Sequence, residues 1–317
     1  MLVVDDHEPW RRQVSSILGK SGRWQVVGEA SDGLEAVHKA RALAPDLILL
    51  DLELPALSGI EAARRILARD PRSRILFVSA HRSWDIVAAA LGAGARGYLL
   101  KSDAGSELLP AMDAVLEGTR FLSGTFTGRS TGSLQYDRNG HRSRRHEAVL
   151  YSNSAVLLDE YAQFAAAALT AGKSIIIAAD APRQNELRRT LEADGLDIDL
   201  AIRQRRYVSV DPAGMVSTFM VDGWPDEARF WKAATSLIME AAEASRGGRA
   251  GVAVCGDGCA DLLMTGRGDA ALRLEQLWDD LARTCNVDVF CGYSQTAPGD
   301  PDLFHRICRE HSAVHSR

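Results

Sequence analysis

The sequence predicts an α/β protein of two domains joined by a basic linker. Its 317 residues suit about two domains of ordinary size. Short apolar runs alternate with amphipathic segments in residues 1–122 and again in residues 147–317. Between them, residues 123–146 are rich in Gly, Ser and Arg and lose all apolar periodicity. We therefore assign a first domain to 1–122, a flexible linker to 123–146 and a second domain to 147–317.

The first domain contains five apolar runs that are typical of buried strands. These runs are Leu2–Val4, Gln25–Val27, Leu47–Leu50, Ile75–Val78 and Tyr98–Leu100. The segments between them have helical spacing; in the first, Trp10 and Val14 are followed by Ile17 and Leu18. Five successive βα units predict a doubly wound, five-stranded parallel sheet.

The second domain repeats this alternation without repeating the sequence. Its predicted strands are Ala148–Tyr151, Ser174–Ala179, Tyr207–Val210, Gly251–Cys255 and Val287–Cys291. Its predicted helices are Ala155–Ala171, Pro182–Asp194, Pro225–Ala244, Ala270–Thr284 and Asp302–His311. We expect a second α/β domain, with Trp224, Trp231 and Trp278 in its core.

Composition argues against several classes of protein. The longest apolar runs fall far short of the ~20 residues that a membrane helix needs. Asp5 and Asp6 argue against a signal peptide, and five cysteines without dense spacing suit a reducing compartment, so we expect a cytoplasmic protein. The net charge of the chain is −5, and the second domain alone, with 25 acidic and 17 basic residues, carries −8, which argues against DNA binding there because phosphate backbones attract clustered positive charge.

Polar residues follow the predicted strands of the first domain at their carboxyl ends, where open parallel sheets bind ligands. Asp5 and Asp6 follow strand 1 and Asp51 follows strand 3, while Ser79 and Lys101 follow strands 4 and 5. Three crowded carboxylates favour a bound cation, and Mg²⁺ prefers oxygen ligands. A carboxylate in such a site can act as a nucleophile and form an aspartyl phosphate.

Four strings in the first domain, VVDDHE, LLDLELPALSG, FVSAH and GYLLKS, resemble the CheY-like receiver domain of two-component response regulators. The resemblance implies a flavodoxin-like fold and phosphorylation by a sensor histidine kinase, with homodimerisation through the receiver as a consequence. It implies a phosphoacceptor at Asp51, Mg²⁺ held by Asp5, Asp6 and Asp51, and phosphoryl contact and switch residues at Ser79, Lys101 and Tyr98.

The second domain contains a string, Ala167 to Ser174, that matches a relaxed phosphate-binding loop. Such a loop must follow a strand and open a helix, whereas here a helix precedes Gly172 and a strand follows Lys173. We therefore expect Gly172 to end a helix. The turn at the proper position, after Tyr151, has neither glycine nor lysine.

Five further strings, HEAVLYS, ALTAGKSIIIAA, LLMTGRGDAALRLEQLWDDLA, FCGYS and ICREHSAV, resemble the MEDS domain, a sensory module of prokaryotic signalling proteins. The domain also looks like a RecA- or KaiC-like sheet whose phosphate loop is lost. The resemblance implies sensing of small hydrocarbon derivatives.

Several polar residues of this domain are candidates for a ligand site. They are His146, Tyr151, Glu275, Cys291, Tyr293, Cys308 and His311. Cys291, Cys308 and His311 could supply zinc ligands, but the paired Cys-x-x-Cys spacing is absent, so we expect the cysteines to pack as small apolar residues.

We therefore predict a phosphorylation-controlled response regulator that is not an enzyme. Its second domain would bind a small organic ligand or a downstream signalling protein. The alternatives are a nucleotide-binding or nucleotide-hydrolysing second domain, and a DNA-binding regulator with a diverged output domain.

Overall fold

The computed structural model describes residues 1–127, 146–245, 251–285, 287–295 and 301–316. The chain divides into two compact units, residues 1–132 and 133–317. Most of the predicted linker, residues 128–145, lies outside the described residues. Its first five residues belong to the first unit, and His146 is the first residue of a strand of the second.

The first unit alternates strands and helices. Its strands are β1 (Leu2–Val4), β2 (Gly28–Ala30), β3 (Ile48–Leu50), β4 (Ile75–Ser79), β5 (Gly97–Leu100) and β6 (Phe121–Leu122). Its helices are α1 (Glu8–Ser21), α2 (Gly33–Leu43), α3 (Gly59–Arg69), α4 (Trp84–Gly92), α5 (Ala104–Leu116) and α6 (Gly124–Thr127). The described strands form one parallel sheet in the order β2-β1-β3-β4-β5-β6, which confirms the doubly wound parallel sheet. A sixth strand, β6, was not predicted because two residues show no periodicity.

Both faces of this sheet are covered. Val3, Leu49 and Leu76 pack against α1 and α5 in one core. The alternate residues, such as Ile48 and Ile75, are also fully buried. Strands buried on both faces appear in the sequence as continuous apolar runs, which is why β1, β3, β4 and β5 were predicted well.

Strand β2 was predicted at Gln25–Val27 and lies three residues later. It is at the edge of the sheet that the described strands form, where β1 pairs with it on one side. Val27 is exposed, so the apolar run that suggested a buried strand belongs to the preceding loop. Because an edge strand does not need to be apolar, its sequence does not mark its position. The position of β2 is set by its pairing register with β1.

The second unit contains two sheets. Its strands are β7 (His146–Tyr151), β8 (Ser174–Ala178), β9 (Tyr207–Val210), β10 (Met220–Val221), β11 (Trp224–Pro225), β12 (Val252–Gly256), β13 (Asp288–Ser294) and β14 (Ala313–Ser316). Its helices are α7 (Ser154–Thr170), α8 (Ala181–Ala193), α9 (Ile198–Arg203), α10 (Pro212–Phe219), α11 (Glu227–Ala244), α12 (Gly258–Met264), α13 (Gly268–Cys285) and α14 (Pro301–Arg309). Within the described ranges the main sheet is parallel, in the order β14-β7-β13-β12-β8-β9, and β10 pairs with β11 in an antiparallel hairpin. The predicted second α/β domain is confirmed.

Helices cover both faces of the main sheet. On one face, α7, α8 and α9 bury residues that include Val149, Ile175 and Phe290. On the other, α11 contacts β8 and β12, and α13 contacts β7 and β13. Trp231 and Trp278 are buried as predicted, but Trp224 is exposed because it lies in the hairpin rather than against the sheet.

The phosphate-loop-like string has the predicted reverse order. Helix α7 ends at Thr170, Gly172 has φ +82°, and β8 begins at Ser174. The buried Arg206 guanidinium donates to the carbonyl oxygens of Leu169 (2.8 Å) and Lys173 (2.9 Å). It thereby provides hydrogen bonds to carbonyl groups that the end of the helix leaves without a helical partner. The string is therefore a helix terminus and lacks the strand-then-helix order of a phosphate-binding loop.

Candidate functional site

The predicted phosphoacceptor residues of the first unit meet at the carboxyl edge of its sheet. Lys101 Nζ lies 2.8 Å from Asp51 Oδ2 and 2.6 Å from Asp5 Oδ2. Asp5 and Asp51 are buried, and Asp6 is exposed beside them. Each of the three carboxylates offers an oxygen within 4.8 Å of the others. One cation, the Lys101 ammonium, thus neutralises part of a three-carboxylate cluster.

Burial and ion pairing act in opposite directions on this cluster. Burial raises the pKa of Asp51, although the ammonium of Lys101 opposes the shift. Burial would lower the pKa of Lys101, but hydrogen bonds and charge from Asp5 and Asp51 outweigh it and raise the pKa. The lysine therefore stays charged and holds its place beside the phosphoacceptor.

The loop after Asp51 holds the carboxylate in a fixed position. The Leu52 N–H donates to Asp51 Oδ1 (2.7 Å), and the Gly59 N–H donates to the Leu52 carbonyl (2.9 Å). A Cβ on Gly59 would lie 1.9 Å from the Asp51 carbonyl oxygen, so α3 approaches the loop as closely as a glycine permits.

The same carboxylates fit a magnesium ion. Three converging carboxylate oxygens are the kind of ligand that Mg²⁺ prefers. Because Asp6 is exposed to solvent, water and a phosphoryl oxygen could complete the coordination of the ion. Asp5, Asp6 and Asp51 would hold the ion.

Tyr98, the predicted switch residue, is already turned inward. It is fully buried, its hydroxyl donates to the His81 carbonyl (2.9 Å), and Ser79 Oγ accepts from the His81 N–H (3.2 Å). Burial raises the pKa of Tyr98 to about 12. Its ring meets Phe126 of α6 edge to face, with centroids 5.7 Å apart. Tyr98 thus already occupies an inward position in this structure.

A second group of side chains converges inside the second unit. We call His146, Glu275, Cys291 and His311 the buried cluster. Its ligand atoms all lie within 4.8 Å of one another, and each residue is at most 7% exposed. Glu275 Oε2 is 3.1 Å from His146 Nε2, 3.4 Å from His311 Nε2 and 3.7 Å from Cys291 Sγ. Cys291 Sγ is 3.5 Å from His146 Nε2.

Strand register explains part of this convergence. His146 pairs with Val289 and Ala148 pairs with Cys291, so His146 and Cys291 lie on the same face of adjacent strands. Tyr293 follows two residues later on that face, and its hydroxyl donates to Glu275 Oε1. Helix α13 packs over this face and supplies Glu275.

The carboxylate and the histidines of the buried cluster stabilise each other's charge. Burial would raise the pKa of Glu275, but His311 and His146 outweigh it and hold the pKa well below its usual range. Burial would lower the pKa of His311, but Glu275 and Cys291 raise it to about 10.

Both units match known protein families. Residues 1–113 match the response regulator receiver domain. Residues 145–312, more than half of the chain, match the MEthanogen/methylotroph, DcmR Sensory (MEDS) domain. The chain belongs to the MEDS family. Its architecture is a receiver domain followed by a MEDS domain, as the sequence strings predicted.

Curated relatives match the chain over a length that corresponds to the receiver domain. Response regulator GacA of Pseudomonas viridiflava is 36% identical over 123 residues, which are 39% of this chain and 58% of that protein. The nitrate/nitrite response regulator protein NarL of Escherichia coli K12 is 36% identical over 138 residues, 44% of this chain and 64% of NarL. The chain thus spans somewhat more than half the length of these relatives, and the receiver domain is homologous to those of response regulators.

Solved structures of response regulators match a similar share of the chain. A LuxR-family response regulator from Aurantimonas sp. SI85-9A1 is 37% identical, with a TM-score of 0.37, over 38% of this chain and 86% of that one. The receiver domain of the putative response regulator NarL from Mycobacterium tuberculosis is 38% identical, with a TM-score of 0.36, over 37% of this chain and 94% of that one.

The MEDS domain brings together some of its predicted ligand residues and separates others. His146, Cys291, Tyr293 and His311 meet on one face of the sheet. Tyr151 is at the other end of β7 and packs on the opposite face, because it is an odd number of residues from His146. Cys308 is half-buried and is not among the four residues of the buried cluster.

Cys291 is buried, as expected of a cysteine that packs as a small apolar residue, but its thiol also has polar neighbours. Strand β13 extends three residues beyond its predicted end, so Cys291 lies within the strand and its thiol contacts Glu275 and His146. The ligand-site prediction also lacked Asp279, whose carboxylate lies 3.8 Å from His146 Nδ1. Glu275 and Asp279 are four residues apart on the apolar face of α13, and two acidic residues on such a face are the signal that sequence analysis could have used.

Among the described residues, no helix is long and apolar enough to cross a lipid bilayer.

Proposed function

We propose that this protein is a cytoplasmic, phosphorylation-controlled response regulator in which Asp51 accepts a phosphoryl group from a sensor histidine kinase. The observation that carries the proposal is the Lys101 ammonium placed between the Asp51 and Asp5 carboxylates, 2.8 and 2.6 Å away. An ammonium in this place can offset the charge of a phosphoryl oxygen once Asp51 carries a phosphoryl group as a mixed anhydride. The protein is then a substrate and switch rather than an enzyme.

The transfer is a displacement at phosphorus. A P–O bond forms to an oxygen of the Asp51 carboxylate while the P–N bond to the donor histidine breaks, and the departing imidazole keeps the electron pair. Mg²⁺ held by Asp5, Asp6 and Asp51 would supply positive charge that favours transfer of the phosphoryl group. The Leu52 N–H orients the carboxylate through Asp51 Oδ1, and Lys101 moves from pairing with Asp51 to pairing with the phosphoryl group.

Tyr98 offers a route by which the signal leaves the site. Ser79 and Tyr98 both bond to the His81 main chain, so a shift of the Ser79 hydroxyl toward a phosphoryl group alters the contacts of that backbone. Tyr98 also contacts Phe126, close to the end of the receiver domain. We propose that phosphorylation biases this face toward homodimerisation or toward release or recruitment of the MEDS domain.

The MEDS domain is proposed to bind a small, weakly polar molecule or a signalling protein rather than a nucleotide, on a sheet that resembles RecA- and KaiC-like folds. Only two residues, Ser152 and Asn153, separate β7 from α7, and the Asn153 side chain caps that helix. An apolar cavity of about 30 Å³ lies beside Cys291 and Cys259, lined also by Val254, Leu274 and Trp278. It holds about one water-sized group, so a larger ligand would have to displace α10 or α12.

The phosphoacceptor is tested with the full-length chain, a small-molecule phosphodonor and Mg²⁺, with intact-mass spectrometry as the readout. We expect one phosphoryl adduct in the wild type, none in Asp51→Asn and an unchanged adduct in Asp70→Asn, a carboxylate on the surface. An adduct that persists in Asp51→Asn contradicts the proposal.

The ligand class is tested by thermal shift of the full-length chain with short alcohols, halocarbons and nucleotides. A ligand that binds only the folded state raises the melting temperature by mass action. Stabilisation by ATP and Mg²⁺ without a response to any organic compound would favour the nucleotide alternative.

A further inference from the structure

We propose that the buried cluster of the MEDS domain is a zinc site with four protein ligands: His146 Nε2, Glu275 Oε2, Cys291 Sγ and His311 Nε2. The proposal is independent of the phosphoacceptor chemistry of the receiver domain and of the identity of any organic ligand. It rests on the spacing of the four atoms, on the groups that orient them and on their burial.

The spacing is that of a tetrahedron around zinc. With the usual Zn–N, Zn–O and Zn–S bond lengths, a tetrahedral site places N and O ligands about 3.4 Å apart and places sulfur about 3.6 Å from either. The two N···O distances are 3.1 and 3.4 Å, the N···S distance is 3.5 Å and the S···O distance is 3.7 Å. The remaining pairs lie within 4.8 Å. A small adjustment of side chains thus gives four bonds of normal length.

Both histidines are oriented as zinc ligands usually are. His311 Nδ1 lies 3.0 Å from the Ile307 carbonyl, to which only an N–H can bond, so in the neutral ring Nε2 carries a lone pair. His146 directs Nδ1 toward the Asp279 carboxylate (3.8 Å) and Nε2 toward Cys291 and Glu275. An outer carboxylate or carbonyl on the far nitrogen fixes the tautomer of a metal-bound histidine.

The carboxylate ligand is oriented in the same way. Tyr293 donates its hydroxyl to Glu275 Oε1, which leaves Oε2 directed at the two histidines and the thiol. In the metal-free protein a proton on His311 Nε2 makes its 3.4 Å contact with Glu275 Oε2 favourable. Zn²⁺ would displace that proton, and His311 Nε2 and Glu275 Oε2 would then both donate lone pairs to the ion.

The set of donor atoms selects the metal. Two imidazoles, one thiolate and one carboxylate are ligands for zinc, whereas Mg²⁺ and Ca²⁺ prefer oxygen alone. Four protein ligands, each nearly inaccessible to solvent, leave no open position for water, so the site is structural rather than catalytic.

Such an ion would fix the end of the chain to the sheet. The ligands come from the start of β7, from α13, from β13 and from the three-residue segment between α14 and β14. Among the described strands β14 pairs with β7 alone, and the Ser312 N–H and hydroxyl donate to the His146 carbonyl. Zinc would add a link between these elements that does not depend on the ladder hydrogen bonds.

The test uses the full-length chain, purified from zinc-supplemented medium without chelators, with metal content measured by mass spectrometry. We expect one zinc ion per chain. After exchange with Co²⁺, the spectrum should show strong visible bands of a tetrahedral ion and a near-ultraviolet thiolate-to-cobalt band. Cys291→Ser should lose the thiolate band, and Cys308→Ser, three residues from His311, should keep it.

A third variant keeps the test decisive if Cys291→Ser does not fold. Tyr293→Phe leaves all four ligands in place but removes the group that orients Glu275, and we expect a 10- to 100-fold loss of zinc affinity in competition with a chromogenic chelator. A folded wild-type chain that holds no zinc and binds neither Zn²⁺ nor Co²⁺ would overturn the proposal, and would identify the cluster as a set of protonated histidines around Glu275. A cobalt spectrum without a thiolate band would exclude Cys291 as a ligand.

Discussion

The close approach of α3 to the phosphoacceptor loop makes Gly59→Ala a sharp test of how the receiver site is built. Gly59 is the first residue of α3, and its N–H bonds to the carbonyl of Leu52. The added methyl group would lie 1.9 Å from the Asp51 carbonyl oxygen and 2.9 Å from the Asp51 carbonyl carbon. Both contacts are with backbone, which cannot rotate away as a flexible side chain can.

The size of the effect follows from the distance. A carbon and a carbonyl oxygen need about 3.3 Å, so the Asp51 backbone or the start of α3 must move by more than about 1 Å. Overpacking of this kind costs about 1–3 kcal/mol of unfolding free energy. A displacement of about 1 Å at a reacting group can reduce a rate by about 100-fold. We therefore expect Gly59→Ala to fold and to accept a phosphoryl group far more slowly.

The assay is the time course of the phosphoryl adduct, followed by intact-mass spectrometry, together with denaturant unfolding. Gly105→Ala in α5 is the matched control, because its added methyl group would meet no atom within 4 Å. That change should leave the phosphorylation rate unaltered and should stabilise the helix by up to about 1 kcal/mol. Equal phosphorylation rates in the two variants would refute the claim that contact with α3 positions Asp51.

Two further predictions concern stability. Tyr98 has a pKa of about 12 in the folded protein, whereas an unfolded tyrosine ionises near pH 10. The stabilisation that the protonated Tyr98 gives to the folded state is therefore complete below pH 10 and is lost as the pH rises toward 12. The unfolding free energy of the wild type should fall by about 3 kcal/mol relative to Tyr98→Phe across that range, and parallel pH profiles of the two proteins would contradict a raised pKa. Asn153→Ala removes the side-chain cap of α7 and should lower the unfolding free energy by about 1 kcal/mol in denaturant titrations, while Ser154→Ala should have little effect. Equal losses in both variants would show that the cap contributes nothing.

The sequence alone determined the receiver fold and the positions of its site residues. Its central strands are buried on both faces, so each appears as an apolar run that periodicity detects. Parallel strands bring their carboxyl ends to one edge, so the residues after those runs had to lie together. Asp5, Asp51, Ser79 and Lys101 could therefore be placed without coordinates.

Only the tertiary structure decided the edge strands and the buried cluster. Strands β2 and β14 are edge strands and are only partly buried, and no apolar run marks either of them. His146 and His311 are far apart in sequence, and they meet because β14 returns to pair with β7. Whether Cys291 faces His146 depends on strand register, since a shift of one residue would turn the thiol to the opposite face. Register is set by the packing of α13 and α7 on the two faces of the sheet, which is a property of the folded chain and not of any local segment.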